Sequence, residues 1–183
     1  MSCDIANGVA EPCKTAVGGL DAIYIINYGD YAATDITYNG ANTDQIDDIN
    51  NVSNLYKFEL KGANSFEQTI TSSRDNGTTF VEQTLTVTLK QQSAAKHKLV
   101  KLLAYGRPHV LVENNAGQFF MMGLFRGADL TAGSINNGGA LGDFNGYSLT
   151  FVAEEKLPAP FTDIAAASSI VADCFTGATI VTA

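Results

Sequence analysis

A pair of alternating segments joined by a tight turn constrains this sequence more than any other feature. Phe66–Ser73 and Thr78–Leu89 flank the run Arg74–Gly77, whose Asn-Gly pair supplies the positive φ angles of a hairpin turn. In the second segment, apolar and hydroxyl side chains alternate with the period of a strand that has one packed face. We therefore predict an antiparallel hairpin that packs Leu85, Val87 and Leu89 inward and presents Thr84, Thr86 and Thr88 on its other face.

Five other segments are rich in β-branched and aromatic residues and are bounded by turn residues, as strands are. They are Leu20–Tyr28, Leu55–Lys61, the pair Val110–Asn114 and Gln118–Phe125, and the long Phe144–Glu155, in which Tyr147, Leu149, Phe151 and Ala153 share a face. The polar stretch Gly29–Asn54 is predicted to be a loop holding at most one short strand. The Gly- and Asn-rich stretch Gly127–Gly142 is predicted to be a flexible connection between strands.

One helix is expected, at about residues 93–105. Ser93 is a good N-cap, Gly106 a good C-terminal stop, and Pro108 prevents continuation. Ala95, Leu99, Leu102 and Leu103 form the predicted apolar stripe, opposite His97, Lys98 and Lys101.

Together these elements predict a mainly β protein: an antiparallel two-sheet sandwich or barrel with one packed α-helix. The length of 183 residues favours a single domain, which we place at residues 20–161. Residues 1–19 are assigned to an N-terminal arm and residues 162–183 to a C-terminal arm. The C-terminal stretch has too few large apolar residues for a membrane anchor.

The sequence contains no motif typical of a catalytic site. His97 and His109 lack a neighbouring nucleophile or paired carboxylate, and three Cys with two His make a zinc site improbable. Gly133–Gly142 lacks the Lys-Ser/Thr pair of a phosphate loop, and Asp44–Asp48 lacks the ligand spacing of a calcium loop. We therefore expect no enzyme activity, no cofactor and no metal.

Acidic residues are concentrated in the first half of the chain. The net charge is −8, from 19 acidic and 11 basic residues, which argues against a general nucleic-acid binder. Six acidic residues and no basic one lie between Asp21 and Asp48: Asp21, Asp30, Asp35, Asp44, Asp47 and Asp48. This run is either a solvated acidic face or a surface that faces DNA without holding it.

Four segments carry a resemblance to a known class of proteins. They are similar to tailed-bacteriophage virion proteins of the tail-tube and head-to-tail ring type. The four segments are the run Asn76–Leu89, the helix end Leu102–Glu113, the hairpin Gly117–Asp129 and the segment Gly142–Phe161. The likeness covers roughly residues 14–161. It implies subunits that form rings, commonly hexameric, whose inner strands join into a closed barrel through which DNA passes transiently during ejection.

The resemblance also implies partners and a location. The partners would be copies of this chain and other tail or connector proteins, with no membrane, in a virion assembled in the host cytoplasm. The candidate lumen-facing hairpin is Phe66–Leu89, with Gln68, Thr84, Thr86 and Thr88 as channel-lining residues. An equal alternative places Thr84–Thr88 against a neighbouring subunit.

Other functions stay open at this point. A head-to-tail connector, a tail-end adaptor ring and a capsid decoration protein are all small β-rich oligomers. A monomeric carbohydrate-binding module would need exposed aromatic residues, for which Tyr24, Tyr28, Tyr31 and Tyr38 are the candidates.

Overall fold

The computed structural model describes residues 7–11, 13, 14 and 17–182. In that part of the chain twelve strands form two sheets beside one main helix, so the prediction of a mainly β protein is confirmed. The elements are β1 Leu20–Ile26, β2 Ile36–Tyr38, β3 Gln45–Ile49, β4 Asn54–Glu59, β5 Ser65–Ser73, β6 Thr78–Lys90, α1 Ala94–Tyr105, β7 His109–Asn114, β8 Phe119–Met122, β9 Asp129–Asn136, β10 Gly146–Glu155, β11 Phe161–Thr162, α2 Ile170–Asp173 and β12 Thr179–Val181. A 3₁₀ turn at Ala33–Asp35 precedes β2.

The two sheets differ in size and in strand direction. The small sheet has the order β5-β6-β10-β9 and is antiparallel throughout. The large sheet has the order β12-β4-β1-β7-β8-β11-β3-β2. Its β12–β4 and β11–β3 pairs are parallel, which corrects the expectation of a wholly antiparallel fold.

The long β6–β10 ladder forms the floor of the first core. It runs from Val81 opposite Glu155 to Lys90 opposite Gly146 without a register shift. Because side chains alternate across a strand, the ladder buries one face of each strand. That face packs against the large sheet and α1 through Leu85, Val87, Tyr147, Leu149 and Phe151 on one side and Ile23, Ile25, Val110 and Val112 on the other.

A second core lies on the opposite face of the large sheet. Tyr24, Ile26, Leu111 and Phe119 project into it, together with Ile36, Ile46 and Ile49 from β2 and β3. Residues of the predicted C-terminal arm fill the rest: Ile170, Cys174 and Phe175 are fully buried there. The described residues of the predicted C-terminal arm, 162–182, therefore pack against their own chain. Burial raises the pKa of the Cys174 thiol to about 12, with the nearby carboxylates of Asp48 and Asp47 adding to the shift.

Two predicted loops contain strands. Gly29–Asn54 holds both β2 and β3, because the widely spaced Ile36, Ile46 and Ile49 anchor an otherwise polar segment in the second core. Gly127–Gly142 holds the eight-residue β9, which pairs along β10 although seven of its eight residues are exposed. Backbone hydrogen bonds to β10 thus order a segment that side-chain pattern alone does not identify.

The predicted hairpin is present, and its turn lies at the predicted residues, 74–77. Ser73 pairs with Thr78, which leaves a four-residue loop in which Gly77 alone has a positive φ, of 61°. The Gly77 amide donates to the Arg74 carbonyl at 3.3 Å. The Asn-Gly pair therefore closes the hairpin through its glycine only, without a left-handed Asn76.

Helix α1 has the predicted ends and a rotated apolar stripe. Ser93 Oγ accepts a hydrogen bond from the Lys96 amide at 3.2 Å, and the Gly106 amide donates to the Leu102 carbonyl at 3.0 Å. The face toward the core consists of Leu99, Val100 and Leu103, whereas Ala95 and Leu102 are exposed. The predicted stripe was wrong at these two positions. None of the helices in the described ranges is long and apolar enough to cross a membrane.

The described residues of the predicted N-terminal arm, 7–11, 13, 14 and 17–19, are exposed and form no helix or strand. The other residues of that prediction, 1–6, 12, 15 and 16, lie outside the described part of the chain.

Gly146 is expected to tolerate no side chain. A Cβ built there would lie 2.1 Å from the Leu89 carbonyl oxygen and 2.8 Å from Cζ of Phe144, so the end of the β6–β10 ladder would have to separate. We expect Gly146→Ala to lower the free energy of unfolding, measured by urea denaturation, by about 3 kcal/mol or more.

Gly142→Ala is the matched control, because a Cβ there meets nothing within 4 Å. It should change the unfolding free energy by no more than about 0.5 kcal/mol. Equal stabilities of the two variants would contradict the close packing at Gly146.

Candidate functional site

The outer face of the small sheet is rich in hydroxyl groups. Thr84, Thr86 and Thr88 lie together on it, half-buried, as the alternation predicts. Across the ladder, Thr86 faces Thr150, Thr88 faces Ser148 and Thr84 faces Val152. The edge strands extend this surface with Ser65 opposite Thr86 and Ser134 opposite Ser148. The centre of the outer face is therefore polar and mostly uncharged.

Carboxylates border that hydroxyl surface at one end. Glu67 and Asp129 flank the Thr84–Val152 pair, and Glu82 faces Glu154 in the next pair along the ladder. Lys90 occupies the opposite end of β6. Asp129 forms a salt bridge with Arg107 at 3.7 Å. The other three carboxylates outweigh the charge of Lys90, so on balance they repel a phosphate backbone, and the hydroxyls offer it only neutral hydrogen bonds.

Gln68 does not share this surface. It pairs with Gln83 on the core-facing side of the small sheet. Its Oε1 accepts a hydrogen bond from the Ala159 amide at 2.7 Å, which fixes the segment after β10. The structure thus brings Thr84, Thr86 and Thr88 together and places Gln68 on the opposite face.

The six acidic residues of the 21–48 segment do not converge on one point. Asp35 accepts a hydrogen bond from the Ala32 amide at 2.8 Å, and Asp47 accepts one from the Asn39 side chain at 3.0 Å. Asp47 and Asp48 are neighbours on β3 and therefore point to opposite sides of the strand. Asp21 and Asp44 are exposed, and Asp30 follows β1 in a turn. The acidity is spread over several surfaces.

The histidines occupy structural surroundings. His109 is buried between the rings of Tyr28 and Tyr31, with Nδ1 2.6 Å from the Gly123 carbonyl oxygen, and burial lowers its pKa. His97 is exposed on α1. Among the described residues, no group of three or more His, Cys, Asp and Glu side chains is arranged to hold a metal ion.

Two of the four candidate sugar-stacking tyrosines are buried. Tyr24 donates a hydrogen bond to Glu113 at 2.9 Å, and Tyr31 donates one to the Leu124 carbonyl at 2.8 Å. Tyr28 and Tyr38 remain exposed. The four rings therefore do not form one exposed platform.

A groove that sequence reasoning missed opens beside the end of β10. Its volume is about 730 Å³, within the range of small-ligand and peptide sites. Its apolar walls include four exposed large side chains: Tyr38, Phe125, Leu157 and Phe161. These residues come from three separate segments, so no local sequence pattern links all of them. Exposed apolar side chains gathered in one concave site are typical of a surface that has a partner.

Buried polar residues hold the floor and walls of this groove. Glu155 Oε1 accepts hydrogen bonds from the amides of Phe125 and Arg126 at 2.9 and 2.8 Å. Gln83 Oε1 accepts one from the Gly123 amide at 3.0 Å. Both side chains belong to the β6–β10 ladder, so the small sheet fixes the loop between β8 and β9. The groove is therefore a preformed feature of the fold.

Compared with known proteins, the chain matches no family model, no curated protein and no solved structure.

Replacing Glu155 is expected to loosen the groove. Glu155→Ala removes the acceptor of two amide hydrogen bonds, and we expect a loss of about 2–4 kcal/mol in unfolding free energy. Glu155→Gln keeps a carbonyl acceptor and should lose about 1 kcal/mol. Urea denaturation measures both.

The adjacent Glu154→Ala is the control, because Glu154 is exposed on the outer face. Its effect should stay within about 0.5 kcal/mol. A Glu155→Ala variant as stable as Glu154→Ala would disprove the anchoring role of Glu155.

Proposed function

We propose that this protein is a phage virion structural subunit that assembles into rings of the tail tube, with the outer face of the small sheet lining a channel for the genome. The observation that carries the proposal is the combination of a hydroxyl-rich outer face with two sheet edges, the outer sides of β5 and β9, to which no other strand of the described chain pairs. Helix α1 lies beside β9, where Gln92 donates a hydrogen bond to the Asn136 carbonyl at 2.9 Å. The resemblance of the sequence to tail-tube and head-to-tail ring proteins supports it.

The edges of the small sheet favour pairing with another chain. Strands β5 and β9 are nine and eight residues long, and both are largely exposed. Neither contains Pro or Lys, the residues with which soluble proteins commonly protect an edge. Each carries an exposed isoleucine, Ile70 on β5 and Ile135 on β9, with 66% and 52% of the residue exposed. Two such edges on one subunit suit a ring, in which every edge finds a partner.

Strand direction makes ring closure consistent. Because the small sheet is antiparallel with four strands, β5 and β9 run in opposite directions. When copies are related by rotation about an axis parallel to the strands, each strand runs in the same direction along that axis in every copy. The β9 edge of one copy then meets the β5 edge of the next in the antiparallel sense, and the pattern continues around a closed barrel without an edge.

The charge of the proposed lumen suits passage rather than binding. A basic surface holds DNA because it releases counterions from the phosphates. The outer face instead offers hydroxyl groups bordered by Glu67, Glu82, Asp129 and Glu154. DNA would slide along such a surface.

A head-to-tail connector or tail-end adaptor ring would use the same edge contacts and the same lumen. Electron microscopy of the assembled protein separates these functions, since a tail tube stacks into long cylinders and a connector forms single rings. A capsid decoration protein would form compact oligomers without a bore.

Basic residues on the outer face are expected to obstruct the channel. In Thr84→Lys/Thr86→Lys/Thr88→Lys the monomer should stay folded, because these positions are only half-buried. Three ammonium groups per subunit would bind phosphates in a salt-dependent manner, so DNA ejection should slow or ring closure should fail. Ejection from virions carrying the variant and electron microscopy of the rings are the measurements.

Asn50→Lys/Ser168→Lys/Thr176→Lys is the control, which adds the same charge at exposed positions outside the small sheet and its hairpin. It should eject DNA like the parent. Normal ejection by the triple variant on the outer face would exclude these threonines from the channel.

Charges placed on the open edges are expected to prevent ring formation. Ile70→Lys and Ile135→Lys each put an ammonium group where a neighbouring strand would pair, so the assembled fraction in sedimentation velocity should fall strongly. The monomer's stability should change by no more than about 0.5 kcal/mol, since both side chains are exposed. Asp75→Lys at the hairpin tip is the control. Unchanged assembly in both isoleucine variants would refute edge pairing.

A further inference from the structure

Helix α1 has a second side with large apolar residues that no described part of its own chain covers. Leu102 and Tyr105 are 59% and 84% exposed. Together with Lys98 and Lys101 they occupy positions i, i+3, i+4 and i+7, which lie on one side of a helix. The side toward the core is formed by Leu99, Val100 and Leu103. We call the exposed side the outer helix face.

The outer helix face belongs to a basic segment in an acidic protein. Residues 90–107 hold five of the 11 basic residues and no acidic one, so the rest of the chain carries six basic and 19 acidic residues. The two salt bridges found among the described residues are Lys57–Glu59 and Arg107–Asp129. Lys98 and Lys101 take part in neither. A partner for this face should therefore be apolar at its centre and acidic beside it.

The groove beside β10 meets that description on a second copy of the chain. Tyr38, Phe125, Leu157 and Phe161 make its walls apolar. Asp44 lies in its lining, and Asp163, held by a hydrogen bond from Gln45 to its carboxylate at 2.9 Å, follows Phe161 closely in the chain. Neither carboxylate belongs to the two salt bridges. The groove lining also contains Arg126 and Lys156, so the charge match is local: Asp44 lies in the lining, and the Gln45 side chain next to it holds Asp163.

We propose that the outer helix face of one copy docks in the groove of a second copy, with Leu102 and Tyr105 against its apolar walls and Lys98 and Lys101 beside Asp44 and Asp163. A volume of about 730 Å³ accommodates the ends of two large side chains. A helix with an apolar stripe in a preformed groove is an established mode of recognition. Aromatic anchors such as Tyr105 supply most of the affinity in contacts of this kind.

The contact is heterologous, because the helix of one copy meets the groove of another. An open row of copies then leaves one unused helix face at one end and one unused groove at the other, until a ring closes. The contact differs from the pairing of β5 with β9 and involves other residues. The helix contact can therefore be tested independently of the edge pairing.

Directed crosslinking tests the contact. Tyr105→Cys and Leu157→Cys are made in separate copies of the full chain, both with Cys3→Ser and Cys13→Ser, while the buried Cys174 is kept. The two proteins, one with a tag of different mass, are mixed and oxidised. We expect a disulfide-linked heterodimer as the main product on a non-reducing gel. A mixture with Asp75→Cys in place of Tyr105→Cys is the control. A yield no higher than in this control would overturn the proposal.

Charged substitutions test the same contact without a crosslink. Tyr105→Glu should weaken self-association in sedimentation velocity by about tenfold or more, and circular dichroism should be unchanged, because the side chain is exposed. Lys98→Glu/Lys101→Glu should weaken it as well. Mixing this variant with Asp44→Lys/Asp163→Lys should restore association.

The outcomes separate this contact from the proposed ring. If Tyr105→Glu and the charge variants assemble like the parent, while Ile70→Lys and Ile135→Lys do not, edge pairing alone holds the assembly and the helix contact is refuted. A parent protein that remains monomeric at about 1 mM refutes both. A groove that binds a small apolar ligand without effect on self-association also refutes the helix contact.

Discussion

The β6–β10 ladder is the interaction on which the rest of this structure depends. Ten consecutive residue pairs run along it without a register shift, from Val81 and Glu155 to Lys90 and Gly146. The inward side chains of both strands form the floor of the first core, and the absence of a side chain at Gly146 allows the last pair to close. Strands β5 and β9 are added on either side of it. A slip of one residue would exchange the buried and hydroxyl faces of the whole small sheet.

That ladder also joins the two surfaces to which we assign function. Its outward side chains form the hydroxyl face, and at its end the inward Gln83 and Glu155 fix the loop that forms a wall of the groove. A single pair of strands thus sets the orientation of the proposed lumen relative to the groove. Because protein cores are closely packed, a shift in one of these surfaces is transmitted to the other.

Sequence reasoning succeeded where a pattern is local and periodic. The alternation in Thr78–Leu89 and the capped helix after Ser93 are of this kind, since each strand face and helix end is fixed by neighbouring residues. It failed for β9, whose order comes from backbone pairing with β10, and for β3, which two isoleucines hold among carboxylates. The packing of the C-terminal segment depends on contacts with distant strands.

The candidate sites follow the same division. The hydroxyl face was predictable because three threonines repeat every second residue. The place of Gln68 was open to the same rule, since an even-numbered position on β5 lies on the opposite side from Glu67. The groove was not predictable, because Tyr38, Phe125 and Leu157 meet only in the folded chain.

The last part of the chain, from β11 to β12, contributes strands to both halves of the large sheet. It supplies β11 near one end of the strand order and β12 at the other end. Opening of either end of the large sheet therefore requires that this part of the chain detach. We expect slow amide hydrogen exchange across the whole large sheet, without faster exchange from fraying at its edges.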